Sequence, residues 1–390
     1  MKRLAILYTV LSGCAWSTFD DLSDQTPAHA VEKPDSIKAT DYGVQILGVT
    51  TDSTGGRLAV LSSGSGNYST LDFDSKGKDT LGDNEPLGVH TIDSLTGAAI
   101  LLTDGTGKVA IVDNSNVGTV VDITGPATGL VVDQQIGTSQ HPDAAVFAGA
   151  KLIVVATAAA GMPNAFSATA TGVVPCTLHD STAMPLSAAA VAADATSLYV
   201  WTKTGTLLSY PLAAFDATGA CMTSSTTPIA GAVAGPAITP APANGASFQL
   251  NGAFAVLTAF DTAQSMTGSV SVVDLASATL VGTAVAAHGV HSATLATFGS
   301  QTALVLGYPN RTVGSATNVG AVDIHTIDAS GAVTATPTES IFVPQAESNL
   351  TFGRSVTTMK HNGMTVLVVG ASNAVFAYYK TSLYPDSRTP

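Results

Sequence analysis

Charged residues are scarce in this chain of 390 residues, because Asp, Glu, Lys and Arg together make up only 11% of it. Soluble domains usually carry about 25%. A surface helix needs a charged or polar face, so this deficit disfavours a helical fold. The 15 Lys and Arg are outnumbered by 28 Asp and Glu, which gives a formal net charge of −13. No basic cluster follows Met1-Lys2-Arg3, so binding to nucleic acid or to an anionic membrane surface is disfavoured.

The start of the chain also lacks an apolar run long enough to cross a bilayer. Residues Leu4 to Leu11 are mostly apolar and follow two positive charges, which predicts an export signal over residues 1–13. The next tetrapeptide, Leu11-Ser12-Gly13-Cys14, resembles a bacterial lipobox and implies lipid attachment to Cys14. Because Ala15 follows instead of Asp, the resemblance implies an outer-membrane or cell-surface location, with the membrane bound through this lipid. An ordinary secretory signal with a chance cysteine is the alternative.

Small and apolar residues are abundant, since 45% of the chain is hydrophobic and 37 residues are glycine. This composition suits short, closely packed strands joined by tight turns. Three such strands are predicted at 351–356, 365–371 and 374–379, with Asn362-Gly363 as a hairpin turn. The middle strand is apolar enough to be buried on both faces. A sheet with two apolar faces has to stack on copies of itself.

Similar groups of strands recur with starts about 45 to 60 residues apart, the range of propeller blades with loop insertions. The seven predicted units begin near Tyr42, Leu87, residue 130, Ala188, Ser247, His291 and Thr351. We therefore predict an all-β fold, a single β-propeller with seven blades of four antiparallel strands over residues 41–380. Residues 14–40 are predicted to be an acidic, flexible tether, and residues 381–390 a C-terminal tail.

Predicted units one, six and seven carry residues typical of a known repeat. Phe352 to Val356, with Leu367 to Ser372, resembles the FG-GAP repeat of integrin α-subunit propellers. Leu306 to Asn310 with Gly320 to Ile324 is similar to the second half of that repeat. Together with the lipobox, the chain resembles bacterial integrin-α-like propeller lipoproteins. This resemblance implies a seven-bladed propeller, but the repeat's calcium loop is missing from the seventh unit, because Met359 to Gly363 contains no carboxylate.

One other segment is a weak candidate for binding Ca²⁺. Residues 72–79 read Asp-Phe-Asp-Ser-Lys-Gly-Lys-Asp, with acids at positions one and three and glycine at six, as in a calcium loop. Lys76 stands where a third ligand is needed, and no glutamate closes the loop. A solvated hairpin turn is therefore favoured over a site formed by Asp72, Asp74 and Asp79. No other metal or cofactor is expected.

The histidines do not form a recognisable catalytic or metal-binding group. His288 and His291 are three residues apart, a spacing that does not aim both rings at one metal in a strand or loop. Five others are scattered among different units and could still converge on a propeller's central channel: His90, His141, His179, His325 and His361. Serine-rich segments lack the strand–nucleophile–helix context of a nucleophile elbow. The sequence therefore predicts a protein that is not an enzyme.

Only two cysteines remain besides Cys14. Cys176 and Cys221 flank the fourth predicted unit, and cysteines in an exported protein are readily paired. We predict a disulfide that braces the edges of this unit. The alternative is two unpaired thiols, because unsuitable geometry prevents the bond.

The expected function is that of a non-catalytic, lipid-anchored propeller of the cell envelope that binds a protein or a glycan. Loops carry function on a rigid scaffold, and the long segments 156–186 and 211–246 are the predicted contact face. Two alternatives belong to other classes. One is a scaffold lipoprotein that assists outer-membrane assembly. The other is a propeller enzyme acting on a saccharide or lipid, with acids from separate blades.

Overall fold

The computed structural model describes the chain in segments. For the strands before residue 141 the structure gives the backbone pairing and, of the side chains, only the burial of Ile46. From residue 141 onward it also describes side chains. The described residues are 29–32, 45–50, 56–62, 67–73, 88–91, 99–103, 108–113, 117–122, 132–135, 141–149, 151–157, 163–169, 172–179, 186–215, 233–238, 241–242, 245–264, 266–343, 348–361, 364–372 and 374–379.

The strands of these segments form seven sheets, called blades 1 to 7 in chain order. The first strand, β1 (His29–Glu32), belongs to the last blade. Blade 1 contains β2 (Gln45–Thr50), β3 (Gly56–Ser62), β4 (Asn67–Phe73) and β5 (Gly88–Thr91). Blade 2 contains β6 (Ala99–Thr103), β7 (Lys108–Asp113), β8 (Val117–Asp122) and β9 (Val132–Gln135). Blade 3 contains β10 (His141–Ala148), β11 (Lys151–Thr157), β12 (Ala165–Thr169) and β13 (Gly172–Cys176).

Blade 4 contains β14 (Ala188–Ala193), β15 (Ser197–Thr202), β16 (Thr206–Pro211) and β17 (Val233–Ala237), with a short 3-10 helix at Leu212–Phe215. Blade 5 contains β18 (Ala246–Asn251), β19 (Phe254–Ala259) and β20 (Ser269–Asp274), whose outer edge pairs with both β21 (Thr279–Leu280) and β22 (Val285–Ala286). Blade 6 contains β23 (Ser292–Phe298), β24 (Gln301–Tyr308), β25 (Ala321–Thr326) and β26 (Glu339–Ile341). Blade 7 contains β27 (Ser355–His361), β28 (Met364–Gly370) and β29 (Ala374–Tyr379), completed by β1.

The blades are arranged in a ring around their first strands. Each first strand contacts the first strand of the next blade, and β27 of the last blade contacts β2 of the first. The strands of each blade pair antiparallel. The predicted all-β propeller with seven blades is therefore confirmed. We call the end of the ring where the first strands begin the top face, and the opposite end the bottom face.

Blade 7 is completed by the beginning of the chain. In the pair of β1 and β29, His29 lies opposite Ala377 and Glu32 lies opposite Ala374. Because β29 runs from top to bottom, β1 enters the sheet at the bottom face. Four residues of the predicted flexible tether over 14–40 thus form a strand. The sequence did not reveal it, because His-Ala-Val-Glu is short and its partner lies at the other end of the chain.

The cores of the propeller lie between blades, because strands such as β28 are buried on both faces. Val366, Leu367, Val368 and Val369 are all fully buried. Successive side chains of a strand point to opposite sides, so each blade packs on both neighbours. Leu367 and Val369 share a hydrophobic cluster with Val305 of blade 6. The stacking predicted from the apolar runs is observed here.

The structure corrects where some predicted units begin. Residues 87–92 were predicted to open the second unit, but β5 pairs with β4 as the outer strand of blade 1. Likewise, β9 lies in the range predicted for the third unit and pairs with β8 of blade 2. The outer strand of one blade is followed directly by the inner strand of the next. Strand patterns along the sequence do not mark the boundary between them.

The Phe352-Gly353 pair was predicted to open the first strand of the last unit. In the structure it precedes β27 and joins blades 6 and 7. The Phe352 ring is fully buried and meets the Phe376 ring edge to face, with centroids 5.5 Å apart. Gly353 has a φ of 86°, which favours glycine. A methyl group placed on Gly307 would lie 2.0 Å from the Gly353 carbonyl oxygen. Glycine at 307 therefore allows the two blades to approach this closely.

No helix among the residues that the structure describes is long and apolar enough to cross a membrane.

Candidate functional site: a cleft between blades 5 and 6

The top face carries a cleft of about 280 Å³ between blades 5 and 6. Three connections surround it: the β19–β20 loop, the link from β22 to β23, and the β24–β25 loop. The cleft brings together carboxylate, imidazole, amide, guanidinium and thioether groups on its lining residues, which are Asp261, Gln264, Met266, His288, Gly289, Tyr308, Asn310 and Arg311. A concave site with a few convergent polar groups is the usual form of a ligand site.

Asp261 stabilises one wall of the cleft through hydrogen bonds to its backbone. Its side chain is fully buried, and its Oδ2 accepts hydrogen bonds from the backbone N–H groups of Met266 and Gly289, each at 3.0 Å. Its backbone carbonyl accepts a third, from the N–H of Gln264 at 3.0 Å. The buried carboxylate therefore ties the β19–β20 loop to the link between the two blades.

The same wall contains two strained backbone positions. Gln264 has a φ of 52° and Met266 a φ of 60°, and the left-handed region costs a non-glycine residue about 1–2 kcal/mol. The hydrogen bonds to Asp261 hold both residues in this conformation. As a result the Met266 side chain, which is 70% exposed, stands at the mouth of the cleft.

Arg311 forms part of the opposite wall and is paired with Asp323. Its Nη1 donates to Oδ1 of Asp323 at 2.8 Å and its Nη2 donates to Oδ2 at 2.6 Å. Ser340 Oγ also donates to Oδ1, at 2.6 Å. The guanidinium lies over the Tyr308 ring, 4.4 Å from its centroid. A bidentate, stacked arrangement of this kind fixes the orientation of the guanidinium.

The charge of Arg311 is maintained despite its partial burial. Burial by itself lowers the pKa of Arg311, but the hydrogen bond and the charge of Asp323 raise it above its ordinary value. Burial, reinforced by the charge of Asp323, raises the pKa of the Tyr308 phenol. The cleft therefore holds a permanent cation beside a neutral phenol at physiological pH.

Two histidines lie at or beside the cleft. His288 is exposed and lines the cleft. His291 is half-buried, and its Nε2 lies 3.2 Å from Asn310 Nδ2. Burial lowers the pKa of His291, an effect that Asp261 opposes and Arg354 strengthens. The ring is therefore neutral at pH 7, and in the tautomer with Nε2 unprotonated it accepts a hydrogen bond from the Asn310 amide.

The accessible and the buried groups of the cleft differ in what they offer a ligand. Two carboxylates lie in or next to the cleft, and both are buried and hydrogen-bonded: Asp261 of the lining accepts backbone N–H groups, and Asp323, behind Arg311, accepts Arg311 and Ser340. The Arg311 side chain is 31% exposed, whereas that of Asp323 is 7% exposed. A ligand entering the cleft thus meets the cation before either anion.

A second charged pair lies on the top face between blades 3 and 4. Lys203 Nζ is 2.5 Å from Asp143 Oδ1, and Asp143 Oδ2 accepts a hydrogen bond from Thr157. Thr157 Oγ1 is in turn 2.9 Å from Ser187 Oγ. The Lys203 side chain is half exposed. Lys203 offers a matched comparison for Arg311, since it is a cation on the same face but outside the cleft.

Several predicted site residues lie outside the described residues, namely Cys14, Asp74, Asp79 and Cys221. Asp72 is the penultimate residue of β4. Cys176 ends β13, where it is buried and disulfide-bonded; its pairing with Cys221 stays a prediction. Within the described segments, no group of three His, Cys, Asp or Glu side chains is placed to hold a metal ion.

The structure brings some of the predicted histidines together and separates others. His288 and His291 lie beside the same cleft. His325 is buried in β25, with Nδ1 2.9 Å from the Thr334 carbonyl oxygen. The predicted contact segments are not loop throughout, because 156–186 contains β12 and β13, and 211–246 contains the 3-10 helix and β17; their role as a contact face stays a prediction.

The sequence did not predict that Asp261 and Arg311 belong to a site, or that Asp323 pairs with Arg311. A signal was present for two of them, because Arg311 and Asp323 flank a glycine-rich loop between apolar strands. Nothing in the sequence indicated that Asp261 is buried against Gly289, since these residues belong to different blades. Contacts between blades determine this site, and they are not visible in strand patterns.

Comparisons with known proteins support the fold and nothing finer. No family model matches the chain, and no curated protein matches it. The chain is similar to a WD40-like propeller chain in the "Crystal Structure of Mitotic Checkpoint Complex", with a TM-score of 0.56 and 10% sequence identity. The match covers 97% of this chain and 99% of that chain. At this identity the likeness shows the propeller fold alone.

Proposed function

We propose that the chain is a non-catalytic propeller of the cell envelope, anchored by lipid on Cys14, that binds a protein or glycan on its top face. The propeller fold suits an interaction module, because a rigid ring presents loops from several blades on one face. The FG-GAP resemblance of Phe352-Gly353 agrees with this role. In this proposal the cleft between blades 5 and 6 is the centre of the contact face.

The observation that carries the proposal is that the carboxylates of Asp261 and Asp323 are both buried and already hydrogen-bonded within the protein. Acid–base catalysis needs a carboxyl group that can reach and exchange a proton with the substrate. Asp261 is buried under two backbone N–H groups, and Asp323 is held by Arg311 and Ser340. Groups fixed in this way shape a binding surface.

Capture from cell-envelope extract tests the binding face. A top-face variant, Gln264→Glu with His288→Glu, adds two negative charges at the cleft on exposed side chains. The matched control, Ser300→Glu with Ala329→Glu, adds the same charge to exposed bottom-face turns of blade 6. We expect the wild type and the control to retain a common ligand that the top-face variant loses. Equal capture by both variants would contradict a top-face site.

Cys14→Ala tests the anchor. We expect the variant to move from the membrane fraction to the soluble fraction and to lose incorporation of labelled fatty acid. Each buried methylene of an acyl chain contributes roughly 0.8 kcal/mol to membrane binding, so removing the chains releases a soluble domain. Cys176→Ala, which leaves Cys14 in place, should stay labelled and membrane-bound. A Cys14→Ala protein that still incorporates the label would refute the lipobox assignment.

A further inference from the structure

We infer that the cleft between blades 5 and 6 binds a carboxylate presented by a polypeptide, either an acidic side chain or a chain end. The inference rests on the proposed binding function and names its ligand. It follows from the hydrogen-bonding character of the cleft, from its size and from the charge of the whole chain.

Arg311 has N–H groups that do not bond Asp323 and that a ligand in the cleft can reach. A guanidinium has five N–H donors in a planar fork. Asp323 takes one from each terminal nitrogen, and the side chain remains 31% exposed at the cleft. The remaining donors can exchange water for a ligand acceptor, and a carboxylate is the planar acceptor that matches guanidinium geometry.

The position of Asp323 makes Arg311 ready for such a ligand. The aspartate, with the Tyr308 ring below the guanidinium, fixes the cation in one orientation. A fixed donor loses little conformational entropy when a ligand binds. The anion that compensates Arg311 lies behind it and is nearly inaccessible, so the positive side of the pair faces the cleft.

The other accessible groups of the cleft agree with this assignment. The His288 ring and the Asn310 amide can each donate a hydrogen bond to a second acceptor atom, and both residues line the cleft. The exposed thioether of Met266 stands at the mouth. It offers an apolar, adaptable contact for the methylene groups that carry a glutamate carboxylate.

Size and overall charge favour a polypeptide carboxylate over an acidic polysaccharide. A cleft of about 280 Å³ lies just below the usual range for drug-sized ligands, about 300–1,000 Å³, and so suits one side chain. The chain carries a net charge of −13, and this field repels a polyanion with a carboxylate on every sugar. A single carboxylate among neutral groups avoids most of that repulsion.

The test compares two small probes that differ in one group. Saturation-transfer NMR on the purified protein uses N-acetyl-glutamate α-methylamide, which carries one carboxylate, and its uncharged isostere N-acetyl-glutamine α-methylamide. We expect the glutamate probe to bind in the millimolar range and the glutamine probe at least about tenfold more weakly, because charge-assisted hydrogen bonds are the stronger ones. Equal binding of the two probes would overturn the inference.

Three variants locate the binding. Arg311→Gln with Asp323→Asn removes both charges but keeps hydrogen-bonding side chains of similar size, so the fold is preserved. This variant and Asn310→Ala should weaken binding of the glutamate probe by about tenfold or more. Lys203→Gln, which removes a cation of the same face outside the cleft, should leave binding unchanged. Retained binding in the double variant, with normal thermal unfolding, would overturn the assignment.

A third probe tests the source of the carboxylate. A trimer of galacturonic acid should bind no more tightly than the glutamate probe. Tighter binding of the trimer would assign the cleft to acidic glycans instead. The failure of this inference is distinct from that of the proposed function. Envelope capture that depends on the top face without binding of the glutamate probe would reject only the carboxylate. Loss of the top-face dependence would reject both.

Discussion

Removing β1 should lower the midpoint of thermal unfolding by about 5 °C. The strand contributes four residues of antiparallel pairing to β29, and each net backbone hydrogen bond contributes about 0.5–1.5 kcal/mol. With the loss of cover along the edge of blade 7, we expect a cost of about 4 kcal/mol. An unfolding entropy of about 2.1 cal/mol/K per residue converts this to roughly 1–1.5 °C per kcal/mol for a chain of this size. Circular dichroism with heating measures the change. The variant replaces His29–Glu32 by Gly-Ser-Gly-Ser, which keeps the chain length.

The control for this prediction deletes residues 15–28 and keeps β1. Its unfolding midpoint should remain within about 1 °C of the wild type, because the sequence predicts a solvated tether there. A synthetic peptide spanning residues 26–34, added to the Gly-Ser variant, should restore part of the lost midpoint by pairing with the open edge of β29. An unchanged midpoint in the Gly-Ser variant would show that β1 does not hold the ring.

Gly307→Ala should destabilise the protein by about 3 kcal/mol, because the added methyl group cannot be accommodated between blades 6 and 7. It would lie 2.0 Å from the Gly353 carbonyl oxygen and 2.3 Å from Ser292 Oγ. The carbonyl is not free to move, since it accepts a hydrogen bond from Ser292 at 2.9 Å. The Gly353 N–H is also fixed, donating to the Gly370 carbonyl at 3.1 Å. Urea unfolding measures the loss as a lower midpoint.

Gly314→Ala is the control in the same blade, in the β24–β25 loop that follows the strand of Gly307. No heavy atom lies within 4 Å of its added methyl group, but its φ is 60°, so it should cost only about 1 kcal/mol through backbone strain. Gly307 does not have the positive φ of Gly314, so a larger loss in Gly307→Ala reports the close approach of the blades and not backbone strain. Equal losses would show that the contact at Gly307 relaxes without penalty.

Much of the fold could be predicted because blades are local structures. The turn Asn251-Gly252 and the apolar run from Phe254 to Ala259 place β18 and β19 within a residue or two of where they lie. These signals depend on neighbours in sequence. The assignment of β5 and β9 to the preceding blades did not follow from them, because strand pairing across a connection depends on tertiary contacts.

The candidate site could not be predicted for a related physical reason. Asp261 reads as an exposed loop residue after β19, yet it is fully buried because Gly289 of the next connection donates to it. Arg311 and Asp323 are separated by a loop that folds back to bring them together. Met266 reads as a core residue by type and is the most exposed large apolar side chain described. Each of these outcomes depends on how two blades meet.

The pairing of β1 with β29 has a consequence for the time at which the protein can fold. His29 is synthesised near the start of the chain, but its partner Ala377 is synthesised almost at the end. Contacts so distant in sequence form slowly, because the entropy of closing the chain is lost before any pairing is gained. Blades 1 to 6 can form as the chain emerges, whereas blade 7 has to wait for the last strand. A chain cut short before residue 374 has no β29 for β1 to pair with, so the pairing that joins the two ends of the chain is restricted to chains that extend through this strand.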